Sequence, residues 1–377
     1  DLQDSYNYIF SNNSNEKGKI SIKESSINKI DKIFFSALKF QGMEFSNMID
    51  SNDIGFGPIH NTSNRFYRSS VLSLLKKKNF KVSLSKTVDY ISYDSIKDKL
   101  HVHCKHEIIS PDYLVISAGA VGSYELILKS QKKVGNINRD LGANVKDHAN
   151  LRVNVLTKAK IGSLNEIDRS LFKKIRLFFK HIFGFPSLMI GTGATSGVHL
   201  DLDGDGEIDT RIQVVQFSEQ GRHGSDGKFF NNDPGFSFSI TPIRPRSIGK
   251  VYQKNNETLI DPNYLSSKSD VELLEKGIAF CLSLLKTPPF SPIVKEIINE
   301  ELLSKNPTEY ISENIFSGAH LIGGVSSLLN SDLSLKSMPR TFVCDASAFS
   351  DYVSSNIHSS VVLLSDMFAK SFIKKFL

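Results

Sequence analysis

The sequence predicts an α/β fold, α+β overall, in which a parallel-sheet part stands beside a separate antiparallel sheet. Three patterns carry that expectation. Leu114-Val115-Ile116 is a wholly apolar run that stops at the small residues Ser117 to Ser123, and a helical stretch from Tyr124 to Lys129 follows. Strand, small-residue turn and helix in that order form the ligand-facing corner of a doubly wound sheet, although a tight packing corner has the same signature. Asn150 to Thr157 and Thr210 to Phe217 alternate apolar and polar residues, as half-buried antiparallel strands do. Long helical patterns run over Asp270 to Leu285 and beyond Asn356. At 377 residues there is room for two domains and a sizeable core.

Taken in order, residues 1 to 30 are rich in Asn, Ser, Asp and Lys and are expected to be loop or flexible edge. Ile30 to Met43 carries Ile33, Phe34, Leu38 and Phe40 at helical spacing and stops at Gly42. Phe56-Gly57-Pro58 reads as a turn, Arg65 to Lys78 as a helix, Asn79 to Tyr93 as a strand, and Leu100 onward as further strands. Leu171 to Phe183 is a basic amphipathic helix, expected to turn its apolar face to the core, with a membrane surface as the alternative.

Composition excludes several classes. Hydrophobic content of 40% and charge of 23% are those of an ordinary soluble protein. The net charge of +6 comes from scattered lysines, with short clusters at Lys76-Lys77-Lys78 and Lys374-Lys375 that read as solvated faces, so no nucleic-acid partner is expected. No run is long enough for an integral membrane span. Cys104, Cys281 and Cys344 lack metal spacing and fit a reducing, cytoplasmic setting. His101, His103 and His106 alternate on a strand without further clustered ligands, so no metal is expected there.

Asp201 to Asp209 reads DLDGDGEID, with oxygen ligands at alternate positions and Gly206 at the sharp turn, as in the first nine positions of a calcium loop. Position twelve is Ile212 instead of a bidentate glutamate. Calcium at Asp201, Asp203, Asp205 and Asp209, and a plain acidic turn, both stand as readings.

Chemistry concentrates between Ser317 and His358. Thr341 to Cys344 reads as a buried strand ending at Asp345, and Ser354-Ser355-Asn356 can cap the last helix. A helix N-terminus offers unpaired N–H groups to an anionic or electron-rich ligand. With His320 and His358 at the two ends of the stretch, a redox or acid–base site is expected. Ser354, Ser355, Ser359 and Ser360 read as caps, since no G-x-S-x-G elbow surrounds them.

The same stretch resembles the C-terminal segment of the glucose–methanol–choline (GMC) family of FAD-dependent oxidoreductases. That family's H-P-x-G-T appears as His320-Leu321-Ile322-Gly323-Gly324, its V-x-D-A-S as Val343-Cys344-Asp345-Ala346-Ser347, and its N-x-H as Asn356-Ile357-His358. Leu321 replaces the usual proline and Gly324 the usual threonine. Further matches are the stretch from Asn79 through Val88, Leu114 to Ser123, and Leu141 to His148. Weaker ones are Arg246 to Val251 and Ile260 to Leu265.

The resemblance implies an incomplete FAD-binding Rossmann-like domain over residues 1–150, an antiparallel-sheet substrate domain over 151–310, and a return of 311–377 to the FAD domain. It implies FAD, contacted by Val88, Ala118, Gly119, Ala120, Gly122, Asp345 and Ala346, with Asn356 near the flavin pyrimidine. It also implies His320 as the base and His358 as its partner in oxidising an alcohol or sugar-like CH–OH group; His148 matches a motif but has no proton to move. No G-x-G-x-x-G turn follows a strand in residues 1–80, so the family's first βαβ unit is expected to lie outside this sequence or on another chain. A non-catalytic remnant serving as a binding module, and a flavin-containing lyase of the same fold, remain the rival readings; the electron acceptor is open.

Overall fold

The computed structural model describes residues 2–11, 19–46, 54–64, 66–74, 80–185, 187–189, 191, 193–220, 229–354 and 356–376. The Lys76-Lys77-Lys78 cluster and most of the C-terminal half of the helix expected over 65–78 lie outside them. What is described of that segment is a 3-10 turn at Val71–Ser73.

The chain opens with helix α1 (Leu2–Ile9), strand β1 (Phe10–Ser11) and β2 (Ile20–Glu24), where loop was expected. Tertiary packing overrides the polar composition. Ile9, Phe10 and Ile20 are buried in one small cluster with Val362 from the far end of the chain. Helix α2 (Lys29–Phe40) follows, close to its expected bounds, with Asn28 and Asp31 forming a reciprocal capping box. Strand β3 (Gly55–Pro58) stands where a turn was expected; all four of its residues are buried, because the segment adds to the edge of the large sheet. Strand β4 (His60–Thr62) pairs with β2.

Strands β5 (Val88–Asp94), β6 (Lys99–Cys104) and β7 (Glu107–Ile109) form an antiparallel meander. The strand expected from Asn79 therefore begins only at Val88. Strand β8 (Leu114–Ile116) then runs into α3 (Gly119–Val134), which starts five residues earlier than expected, at Gly119 itself.

The large sheet has seven strands: β9 (Ala149–Thr157), β10 (Ala194–Leu200), β11 (Thr210–Val215) and β12 (Gly235–Pro242), joined by β3 and by two later strands described below. Helices α4 (Leu164–Asp168) and α5 (Leu171–Ile182) lie between β9 and β10 in the chain. The core-facing expectation for α5 fails. None of its residues is buried, and Leu171 and Phe172 are three-quarters exposed. The apolar core over the large sheet is closed by other helices. After the hairpin of β13 (Lys250–Lys254) and β14 (Glu257–Asp261) comes α6 (Lys268–Leu285). Strand β15 (Val294–Ile297), α7 (Glu300–Lys305), α8 (Pro307–Asn314) and β16 (Phe316–Ser317) follow, and β15 and β16 both pair with β9.

All pairings in the large sheet are antiparallel, in the order β15-β9-β12-β11-β10-β3 with β16 beside β9. Helices α2, α6 and α8 cover it, and Phe34, Phe236, Phe238 and Phe290 fill the space between with tilted and edge-on rings. One buried carboxylate sits at this junction. Asp31 accepts hydrogen bonds from Thr195, Ser196 and Gln216, so its burial, which raises its pKa, is matched by donors.

Strand β17 (Thr341–Val343) pairs in parallel with β8, so the carboxyl ends of both point the same way. Helix α9 (Ile357–Phe376) closes the chain and stacks Phe368, Phe372 and Phe376 around Phe342.

Candidate active site

Position 320 is fixed by its surroundings before any question of chemistry. Its backbone N–H donates to Asp147 Oδ1 at 2.8 Å, and Tyr264 and Ser317 hydroxyls donate to the other oxygen of that carboxylate. Its carbonyl accepts from the Tyr352 hydroxyl at 2.6 Å. Ala319 before it adopts φ 58°, a left-handed conformation that an alanine occupies only when neighbours hold it there. Three residues beyond His320, Gly323 has φ +84°, and a Cβ there would stand 2.1 Å from the Asn144 carbonyl oxygen. Only glycine passes the backbone beside it.

The His320 ring meets His148. Their Nδ1 atoms are 3.0 Å apart, and the other nitrogen of His148, Nε2, lies 3.1 Å from the Ile243 carbonyl oxygen. Protonation follows from these contacts. Burial pushes the His148 pKa down to about 3, so the ring is neutral. A carbonyl only accepts, so His148 Nε2 carries the single proton and its Nδ1 is an acceptor. The proton between the rings therefore belongs to His320 Nδ1, which leaves His320 Nε2 with a free lone pair. Burial, and next the Arg211 charge, lower the His320 pKa, while Asp147 acts weakly against them. A neutral imidazole with one exposed lone pair is a proton acceptor. His148 is fully buried and stacks on Tyr352 with ring centroids 4.1 Å apart, which locks its orientation.

His320 lines a cavity of about 590 Å³ between the large sheet and α9, together with Asn150, His199, Arg211, Gln213 and Asn356. His199 is buried and held neutral, its pKa pulled down to about 4 by desolvation and then by Arg211. Arg211 donates to Asn356 Oδ1 at 2.8 Å.

His358 faces elsewhere. It lines a second cavity, about 730 Å³, with Ser117, Cys344, Asp345 and Val362. Helix α9 stands between the two: Asn356, Ser359, Ser360 and Leu363 line the first cavity, while His358, Val361, Val362 and Ser365 line the second. Two residues along a helix are about 200° apart, so positions 356 and 358 take opposite sides of it. That offset is legible in the sequence once the helix start is known. The importance of His148 was also within reach, since it sits next to Asp147, which holds His320 in place.

Of the residues expected at a cofactor, Asp345 lines this second cavity, three line a third, Asn356 lines the first with His320, and Gly119, Ala120 and Ala346 line none of the three. Val88, Ala118 and Gly122 line a cavity of about 390 Å³ that shares Ser117 with the second. Asp345 organises the corner: its carboxylate accepts from Gly119 N at 2.9 Å, Ser123 Oγ at 2.5 Å and Ser347 N at 2.8 Å. Gly119, at φ +78° with nothing within 4 Å of a Cβ, begins α3, and Ala120 is packed behind it. Ala346 opens a 3-10 turn capped by Asp345.

The acidic loop closes on itself. Carboxylate oxygens of Asp201, Asp203 and Asp209 lie within 4.8 Å of one another. Asp201 accepts from Gly204 and Gly206, Asp209 from Leu202 and Asp203, and Asp205 from Glu207, while the Glu207 side chain pairs with Arg244. The geometry is that of a hydrogen-bonded acidic turn.

A parallel strand pair with a small-residue corner stands beside an antiparallel seven-stranded sheet, and His320 lines the cavity against that sheet. Residues 245–365 match the family model described as GMC oxidoreductase, and the chain has the fold of that family. Pyridoxine 4-oxidase from Mesorbium loti superposes with a TM-score of 0.79 at 15% identity, covering 100% of this chain and 77% of that one. Formate oxidase gives 0.83 at 15% identity, covering 95% and 73%, and a fungal aryl-alcohol oxidase gives 0.75 at 12% identity, covering 100% and 76%. In sequence, "Neither inactivation nor afterpotential protein G" of Drosophila melanogaster is 29% identical over 162 residues, which span 36% of this chain but only 28% of that protein. Among the described residues no helix is long and apolar enough to cross a membrane.

Proposed function

We propose that this chain carries the substrate site and part of the cofactor cleft of an FAD-dependent oxidoreductase acting on CH–OH groups, with His320 as the base. The observation that carries the reading is the hydrogen-bond chain Ile243 carbonyl, His148, His320, which leaves the Nε2 lone pair of a neutral imidazole available. The match to a GMC oxidoreductase family model over 245–365 and relatives named as pyridoxine 4-oxidase and aryl-alcohol oxidase support it.

In this reading the substrate hydroxyl gives its proton to His320 Nε2, and the positive charge that forms is shared along the bond to His148. Asn356, across the same cavity, orients the hydroxyl. FAD, when bound, supplies the two-electron acceptor for the hydrogen leaving the carbon. Ser117, Ala118, Gly119, Asp345 and the start of α9 would hold it, and His358 stands on that side of the helix. The large sheet forms the substrate side, with α2 and β3 added to it from the first part of the chain. The Asp201–Asp209 loop has no part in the chemistry.

Loading the purified protein with FAD and mixing it anaerobically with a panel of alcohols tests the proposal. His320→Ala is expected to retain flavin and to slow flavin reduction by about 10²–10⁴-fold, the usual span for a general base. Unchanged reduction would remove His320 from that role, and a protein that takes up no flavin would overturn the cofactor reading.

A further inference from the structure

We infer that the molecule taken by the 590 Å³ cavity carries a carboxylate, and that Arg211 is the residue that selects it. The inference rests on the reading of that cavity as the substrate site, and it adds the substrate class.

Arg211 comes from β11, so its position is fixed by the large sheet and not by a loop. Its guanidinium faces the cavity, and its Nε is buried without a hydrogen-bond partner among the described residues. The partner it does have, Asn356 Oδ1, is neutral. Desolvation alone acts on its charge, with no carboxylate among the described residues to offset it, and its pKa is drawn down to about 10, which still leaves it cationic. The contrast with Arg152, which lines the same cavity, is instructive: Arg152 pairs with the buried Glu219. Around Arg211 stand three imidazoles, His148, His199 and His320, each with its proton affinity lowered by this one charge. His199 adds a second buried nitrogen, Nδ1, without a partner.

A half-buried cation with no counter-ion among the described residues is poised for an anion, and a planar guanidinium fork matches the two oxygens of a carboxylate. One unmatched positive charge suits a monoanion better than a phosphate dianion. A hydroxy acid would then place its carboxylate on Arg211 and its hydroxyl toward His320, so that charge sets the substrate's direction in the cavity.

Binding needs neither flavin nor turnover, which separates this inference from the oxidoreductase reading. A panel of acetate, lactate and benzoate, each against its neutral amide, is titrated into the wild type and Arg211→Met by calorimetry, with thermal melting of both. The wild type is expected to prefer the carboxylate of at least one pair. Arg211→Met is expected to lose about 10- to 100-fold of that affinity, the span of a charged hydrogen bond, and to melt no lower than the wild type without ligand. Arg211→Lys should recover part of the binding. Equal affinity for acid and amide throughout, equal carboxylate affinity in Arg211→Met, or a lower melting point for the ligand-free variant would each overturn the assignment. Carboxylate binding in a protein that oxidises no alcohol would leave Arg211's role standing and sink the oxidoreductase reading instead.

Discussion

His148 offers the sharpest test of the proton inventory. Replacing it by leucine removes the acceptor for His320 Nδ1–H while keeping an apolar body against Tyr352. Two things are then lost: the contact that holds His320 in its Nδ1–H tautomer, and the bond that strengthens when His320 becomes cationic. A hydrogen bond from a charged donor is worth about 1.5–3 kcal/mol, which corresponds to about 10- to 150-fold in rate. His148→Asn is the control, because its amide oxygen takes nearly the place of Nδ1 and keeps the acceptor. Anaerobic stopped-flow reduction of the FAD-loaded protein by saturating alcohol reads the step. Slowing in His148→Leu with substantial recovery in His148→Asn is expected. Equal rates in wild type and His148→Leu, at unchanged flavin content, would refute the tautomer argument.

Other outcomes follow from the same contacts. His148 and His199 are buried neutral, with pKa values of about 3 and 4. In the unfolded chain each binds a proton below about 6.5. Folded-state values below unfolded ones mean that stability is lost as pH falls from about 6.5 toward 4, by on the order of 1.4 kcal/mol per pH unit for each histidine. Urea melts at pH 7, 6 and 5 should show the slope, and His199→Phe should make it shallower; a flat profile would contradict the burial argument. Flavin reduction should also fall on the acid side with an inflection below 6.5, since His320 must be neutral to accept a proton. Gly323→Ala forces both a left-handed alanine and a Cβ 2.1 Å from the Asn144 carbonyl. A cost of roughly 2–4 kcal/mol, measured by urea unfolding, is expected, and a loss under 0.5 kcal/mol would show that the crossing relaxes freely.

The elements legible in the sequence were those whose own periodicity carried the signal. Strands β9 and β11, helices α2 and α6, and the β8–α3 corner stand near where alternation and helical spacing put them, because each buries one face and repeats its apolar residues accordingly. His320, Asp345 and Asn356 were singled out through short motifs, and the structure sets His320 and Asn356 on one cavity and Asp345 on another. The failures share a cause. Residues 2–11, 20–24 and 55–58 carry little periodic signal, yet they fold because distant partners cover them, Val362 for the first two and β10 for the third. Helix α5 has the pattern of a core-facing helix and no core to face, since an amphipathic stripe states what a helix can bury and not what is there to bury it. Sequence alone therefore determined which residue types cluster near the C-terminus. Which histidine meets which, that His148 orients His320, and that Arg211 has no counter-ion among the described residues were decided only by tertiary structure. Each of those depends on elements more than a hundred residues apart meeting at fixed angles, and no local pattern encodes an angle.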